Sequence, residues 1–396
     1  MNLASLSASY LRARPLNTAL SVLLLALGVA TIVLLLLVVG QAEERMQRDA
    51  RGIDLVVGAK GSPMQLMLSG IYHLDAPTGN IPLSSAAALS RNRMVKRAIP
   101  LALGDSWKGH RIVGAGKEYA EHYGANLSAG RFYEKPMEAV LGAEVAARTG
   151  SAVGATFKGA HGLGGEGDEH EDAYTVVGIL AKSNSVIDRL VLTSIESVWE
   201  IHDEHGPGHS PPKDEAREVT VVLLQYASPL AAATLPRQIN SQSDLQAASP
   251  AYETARLFSI VGVGIDALRG FAAVLILAAG LSVFIALYSA LEERRYELAV
   301  MRTLGASPGK LFGLLIGEAF VLSLLGVVLG LLLGHGLASI LGAWLERQQH
   351  YPVTGLEWRP EELWVAGIAL GVGVVAAIVP AWRAYRTDVS RTLAQG

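Results

Sequence analysis

Four apolar runs constrain this chain more than anything else in it. They are Asn17–Gly40, Gly270–Leu291, Leu311–Leu345 and Leu363–Trp382. A helix needs about 20 predominantly apolar residues to cross a bilayer. Inside hydrocarbon every backbone polar group must be satisfied within the segment, so such runs fold as helices. The first, second and fourth carry no charge. The third is longer than one span requires and contains Glu318 and His335, so part of it is expected to tilt or to project beyond the hydrocarbon. The first run exceeds the roughly 7–15 residues of a signal-peptide core and is read as a retained anchor.

Composition agrees with a membrane protein. Charged residues make up 17% of the 396 residues and hydrophobic residues 51%, whereas soluble chains carry about 25% charged residues. A net charge of −3 gives no footprint for nucleic acid. The absence of cysteine excludes disulfides, thiolate metal sites and cysteine nucleophiles.

Lysine and arginine in the short loops set the orientation. Arg12 and Arg14, then Arg294, Arg295, Arg302 and Lys310, then Arg383, Arg386 and Arg391 fall on one side, against Arg347 and Arg359 on the other. The expected organisation is a cytoplasmic N-terminus (1–16), a first span (17–40) and an extracytoplasmic domain (41–268). A second span (269–291), a cytoplasmic helix and turn (292–310) and a third span (311–345) follow. A short outer loop (346–362), a fourth span (363–382) and a cytoplasmic tail (383–396) complete it. The fold class is an α-helical membrane protein with four transmembrane helices plus a large α+β extracytoplasmic domain between helices 1 and 2.

That domain is expected to stand on two stalk helices, "QAEERMQRDAR" and "ETARLFSIVGVGIDALRG", which continue the first and second spans. Between them "IDLVVGA", "MVKRAIPLAL", "HRIVGAG", "YTVVGIL" and "EVTVVLLQY" read as strands. "LSSAAALSRN", with Ser84 or Ser85 as cap, "IESVWEIHDEHG" and "SPLAAATLPRQIN", capped by Ser228, read as helices. Two polar insertions, Lys158–Tyr174 and Ile201–Arg217, read as loops.

Between the second and third runs lies "LEERRYELAVMRTLGASPGKLFGLLIGEA". It reads as a short helix with Tyr296, Val300 and Leu304 on one face. Gly305 suits a left-handed stop, and Ser307 with Pro308 suits the next helix start. "GASPGKL" is one residue short of a P-loop and lacks the Ser/Thr after Lys310, so no nucleotide site is visible.

This stretch resembles the signature of the MacB/LolC/FtsX superfamily of ABC transporter permeases, the type VII ABC systems. "IVPAWRAYRTDVSRTLAQG" is similar to that family's end, and "GRFYEKPMEAVLGAEVAARTGSAVGATF" with "YTVVGIL" to its extracytoplasmic domain. The resemblance implies bacterial inner-membrane localisation and an ABC ATPase subunit as partner, with ATP bound there and no intrinsic enzyme activity or cofactor. It implies that Glu293, Arg294, Arg295, Glu297, Val300, Arg302, Leu304 and Gly305 dock on that subunit. It also implies a smaller part inserted in the outer domain, here over 106–215. Four spans are too few for a pore, so a second permease copy is expected, as homodimer or related heterodimer.

The two insertions hold five of the ten histidines, amid many carboxylates. Imidazole with carboxylate suits zinc, nickel or copper(II). The expected ligands are His170, His202, His205 and His209, with Glu169 or Glu171 supplying oxygen. The alternative is solvated surface. The leading function is a permease acting on a lipoprotein, peptide or other envelope ligand. The alternatives are an FtsX-like regulator of an extracytoplasmic enzyme and a metal-linked envelope transporter or sensor; an extracytoplasmic protein is a further expected partner.

Overall fold

The computed structural model describes residues 15–162, 169–203, 217–293, 295–349 and 353–386, without side-chain detail at 294–298 and 347–352. The chain opens with α1 (Pro15–Asp49), β1 (Leu55–Ala59), α2 (Pro63–Gly70), β2 (Ile81–Pro82) and α3 (Leu83–Ser90). Then come β3 (Val95–Trp107), β4 (His110–Ala115), α4 (Lys117–His122), β5 (Leu127–Gly130), β6 (Glu138–Leu141) and α5 (Ala143–Thr149). β7 (Thr156–His161), β8 (Glu169–Leu180), a 3-10 turn (Val186–Arg189), β9 (Val191–Thr193) and α6 (Ile195–Asp203) follow. The last elements are β10 (Glu218–Val219), β11 (Val221–Tyr226), α7 (Pro229–Gln242), β12 (Leu245–Ala248), α8 (Pro250–Glu293), α9 (Arg295–Thr303), α10 (Pro308–Gln349) and α11 (Glu361–Tyr385). Two units emerge, one of Met1–Glu43 with Val261–Gly396 and one of Glu44–Ile260.

In the α/β unit a ten-stranded sheet runs β12-β1-β11-β3-β4-β9-β6-β8-β5, with β7 paired to β3 and β8. β4–β9 and β6–β8 are parallel and the other pairs antiparallel. Successive strand residues point to opposite faces, and here both faces are covered. Leu55 and Val57 of β1 and Val222 and Leu224 of β11 pack under α3 and α7, with Leu89, Leu235 and Ile239. Val56, Val221 and Leu223 face the other way, toward Leu66 and Met67 of α2 and Tyr119 of α4. That double burial is why "IDLVV" and "VVLL" are continuous apolar runs rather than alternating ones.

Three sequence expectations are corrected. α3 begins at Leu83, and neither Ser84 nor Ser85 caps it. The Leu83 N–H instead donates to the Arg217 carbonyl at 2.8 Å, so the helix end needs no hydroxyl. Ser228 does occupy the N-cap of α7, but its side chain makes no capping hydrogen bond. The insertion Lys158–Tyr174 is largely strand, since β7 and β8 pair antiparallel through Phe157↔Tyr174 and Lys158↔Ala173. Its outward Glu, Asp and His residues hide the period of two, and Gly159, whose added Cβ would meet Ile112 Cδ1 at 3.0 Å, marks a close approach. In the second insertion α6 extends through Asp203; 204–216 lie outside the described residues.

α2 is capped by Ser62, which accepts from Gln65 N–H, and starts with Pro63. The chain then turns through His73 at a φ of 55°. His73 is buried, and its Nε2 lies 2.9 Å from the Tyr119 hydroxyl. Burial, with Arg111 and Arg189 nearby, pushes its pKa well below 6.5, so the folded imidazole is neutral. The unfolded imidazole takes up a proton as pH falls through 6.5, so acid favours the unfolded chain. Stability is complete above that value and falls by about 1.4 kcal/mol per pH unit below it. His73→Asn, which tolerates positive φ, should flatten this slope in melting curves of the α/β unit between pH 6.5 and 5. An unchanged slope would remove His73 as its origin.

In the helical unit α1, α8, α10 and α11 are each long and apolar enough to cross a membrane. Small residues let them approach. Gly28 of α1 faces Ile276 of α8, and Ser21 and Ser282 hydroxyls lie 2.8 Å apart. Gly326, Gly330 and Gly334 of α10, one every fourth residue, face Leu25, Val29 and Val33 of α1. At one end Gln41 donates to the Thr354 carbonyl at 2.7 Å and accepts from Thr354 N–H at 2.9 Å. Nearby, His335 bridges the Gly355 carbonyl at 2.6 Å and Glu362 at 2.9 Å, the interhelical hydrogen-bonded histidine that its small neighbours suit. Glu318 is buried, at 3% exposure.

Candidate functional site

Two places in the chain carry chemistry that its packing alone does not require. The first is the connection from α8 to α10. Glu293 is the last residue of α8 and is exposed; Arg294 lies outside the described residues, and the side chains of Arg295 and Glu297 are not described. α9 turns its fully buried Ala299 inward, and Met301 packs against the cluster of Val283, Leu287, Leu291, Leu311 and Leu315. Val300 and Arg302 are half-buried. Leu304 falls just beyond the helix and is 82% exposed, so among the described side chains the buried side is set by Ala299 and Met301.

Gly305 then takes a φ of 95°, its N–H bonding the Arg302 carbonyl while Ala306 N–H bonds that of Met301. Only glycine enters that region without a Cβ penalty, so the helix stops there. Pro308 opens α10, where its missing N–H costs nothing. The local chemistry thus yields a short helix with a packed inner side and an open apolar tip.

The second place is in the α/β unit. Asp105 of β3, His161 of β7, His170 of β8 and His202 of α6 each bring a ligand atom within 4.8 Å of all the others. The sheet register makes Asp105 and His161 direct cross-strand partners. Trp107, Phe157 and Tyr174 stack across the same three strands at 4.3 and 5.2 Å and hold them in place. His202 Nδ1 lies 2.7 Å from the Val198 carbonyl, to which it donates, so Nε2 keeps its lone pair and faces Asp105. Asp105 is 2% exposed and neither of its oxygens accepts a hydrogen bond from the described residues. Such a group could hold a metal ion.

Of the residues expected to bind metal, His170 and His202 meet here. Glu169 and Glu171 flank buried His170 on the strand and are exposed, as the period of two dictates. His205 and His209 lie outside the described residues. Sequence reasoning missed Asp105 and passed over His161. The signal for Asp105 was an acid inside the otherwise apolar strand "IPLALGDSW"; His161 was hidden by reading its strand as loop.

Residues 18–242 match the MacB-like periplasmic core domain, and residues 269–389 match the FtsX-like permease C-terminal model. The periplasmic region of MacB from Actinobacillus actinomycetemcomitans is similar at 13% identity and a TM-score of 0.34, over 54% of this chain and 97% of that one. The extracellular domain of the noncanonic ABC-type transporter YknZ from Gram-positive bacteria is similar at 12% identity and a TM-score of 0.30, over 49% and 98%. No curated protein matches.

Proposed function

We propose, from the premise that this chain belongs to the MacB/FtsX family of type VII ABC permeases, that it is driven by ATP hydrolysis on a separate ATPase subunit docked at α9. The observation that carries this reading is the α9 connection, a short helix packed through Ala299 and Met301, with exposed Leu304 just beyond it and a stop at Gly305 at a φ of 95°. A helix fixed that firmly between two spans passes a push from a docked subunit into α8 and α10. The surplus of lysine and arginine in the short loops beside it supports a cytoplasmic position for α9 and both termini, in the bacterial inner membrane. It follows that the α/β unit is extracytoplasmic and moves with α1 and α8, acting on an envelope ligand such as a lipoprotein or peptide. A second permease copy completes the assembly, because four spans cannot enclose a path alone.

The chain contains no cysteine, so single-cysteine photocrosslinking tests this directly. A crosslinker on Leu304→Cys should capture a co-expressed ABC ATPase, identified by labelling with an ATP analogue. One on Leu332→Cys, exposed on α10, should not. Equal capture at both positions, or none at Leu304→Cys, would remove the docking role of α9. An FtsX-like regulator, which moves no substrate, would share the dock and differ in what the outer domain binds.

A further inference from the structure

We infer that Asp105, His161, His170 and His202 form a binding site for a divalent transition-metal cation, with zinc as the best-fitting ion. The geometry carries the inference. With metal–ligand bonds of about 2.0–2.1 Å, neighbouring donors of a tetrahedron stand about 3.3 Å apart. Asp105 Oδ1 lies 3.2 Å from His170 Nε2, 3.3 Å from His161 Nδ1 and 3.8 Å from His202 Nε2. The three Asp105–imidazole separations therefore stand within about half an ångström of tetrahedral edges, and all four donors lie within 4.8 Å of one another.

Burial supplies a second, independent observation. A carboxylate at 2% exposure whose oxygens accept no hydrogen bond among the described residues is costly unless a cation compensates it. Arg111 lies near enough to feel the Asp105 charge, yet its Nη2 donates to the Asp75 carbonyl at 2.7 Å. The site is also graded. The side chains of Asp105 and His170 are each 2% exposed and form its floor, whereas those of His161 and His202 are 49% and 40% exposed and form its rim. An ion can thus arrive from solvent and be held against the sheet.

The donor set selects the ion. Three imidazoles and one carboxylate are too nitrogen-rich for calcium or magnesium, which take oxygen ligands. Copper(II) prefers tetragonal geometry, whereas zinc has no directional preference and accepts a tetrahedron. The bound ion would fasten β7, β8 and the end of α6 to β3. These are the roots of both polar insertions, so the ion would set where those insertions leave the sheet.

The test uses the full-length chain in detergent, stripped with a chelator. Zinc is titrated by calorimetry, and cobalt(II) by its visible absorption, which intensifies on tetrahedral binding. With no cysteine in the chain, any cobalt band arises from nitrogen and oxygen ligands. The native protein should bind about one ion per chain, as a four-ligand site does, and its melting temperature should rise with zinc. The exposed-rim variant His161→Ala/His202→Ala should keep its metal-free melting temperature. Its zinc affinity should fall by at least about 100-fold, the upper end of what losing an outer-shell partner costs. His205→Ala/His209→Ala should bind like the native protein. Absence of zinc heat and cobalt band in the native protein would overturn the site and leave an ion-paired cluster around Asp105. Undiminished affinity in the rim variant, or equal loss in the His205/His209 variant, would overturn it as well.

Discussion

Leu304→Asp is expected to abolish stable association with the ATPase subunit while the chain still inserts and folds. Leu304 is 82% exposed and lies one residue beyond α9, so no core contact is lost. The backbone bonds that shape the turn, Leu304 N–H to the Val300 carbonyl and Gly305 N–H to that of Arg302, do not involve the side chain. In the proposed dock this apolar tip would fill a pocket of the partner, and truncating a hot-spot residue costs at least about 2 kcal/mol. A carboxylate in that pocket adds the cost of desolvating an unpaired charge. Co-purification should fall at least about 30-fold, the equivalent of 2 kcal/mol, and stimulated ATP hydrolysis should fall with it. The melting temperature should stay within the range of ordinary surface changes. Native-like association would show that α9 is an ordinary connection.

The second large effect is structural. Gly330→Leu should disrupt the helical unit. A Cβ at Gly330 would meet Val29 Cβ at 2.7 Å and the Ala26 carbonyl oxygen at 2.9 Å, and one of those neighbours is backbone that no rotamer change can move. Ala26 and Val29 are fully buried. Overpacking a tight core costs about 1–3 kcal/mol, and a leucine that must displace a whole helix belongs at the top of that range. Gly336→Leu is the control, because a Cβ at Gly336 meets nothing within 4 Å on the same helix. Thermal unfolding in detergent should show a clear loss for Gly330→Leu and little for Gly336→Leu. Equal melting temperatures would mean that α1 and α10 do not depend on this close approach.

The distinction between these glycines could not be read from the sequence. "LGVVLGLLLGHG" places four glycines in one apolar helix, and their spacing puts Gly326, Gly330 and Gly334 on a single face. Which face meets α1 depends on the packing of other helices. The candidate metal site teaches the same lesson. His170 and His202 stood out because histidines and carboxylates crowd two polar stretches. Asp105 is more than fifty residues from the nearest of them and comes beside His161 only through the β3–β7 register.

By itself the sequence determined the four spanning helices, the position of the α/β unit between the first two, and the stop at Gly305. These rest on local terms: the length of an apolar run, the period of a strand, the dihedral freedom of one glycine. The tertiary structure alone decided which side of α9 is buried, which glycines touch α1, and which three imidazoles converge on Asp105. Those depend on pairings between segments distant in the chain, where a shift of one residue in register turns every side chain to the other face. No local pattern carries that information.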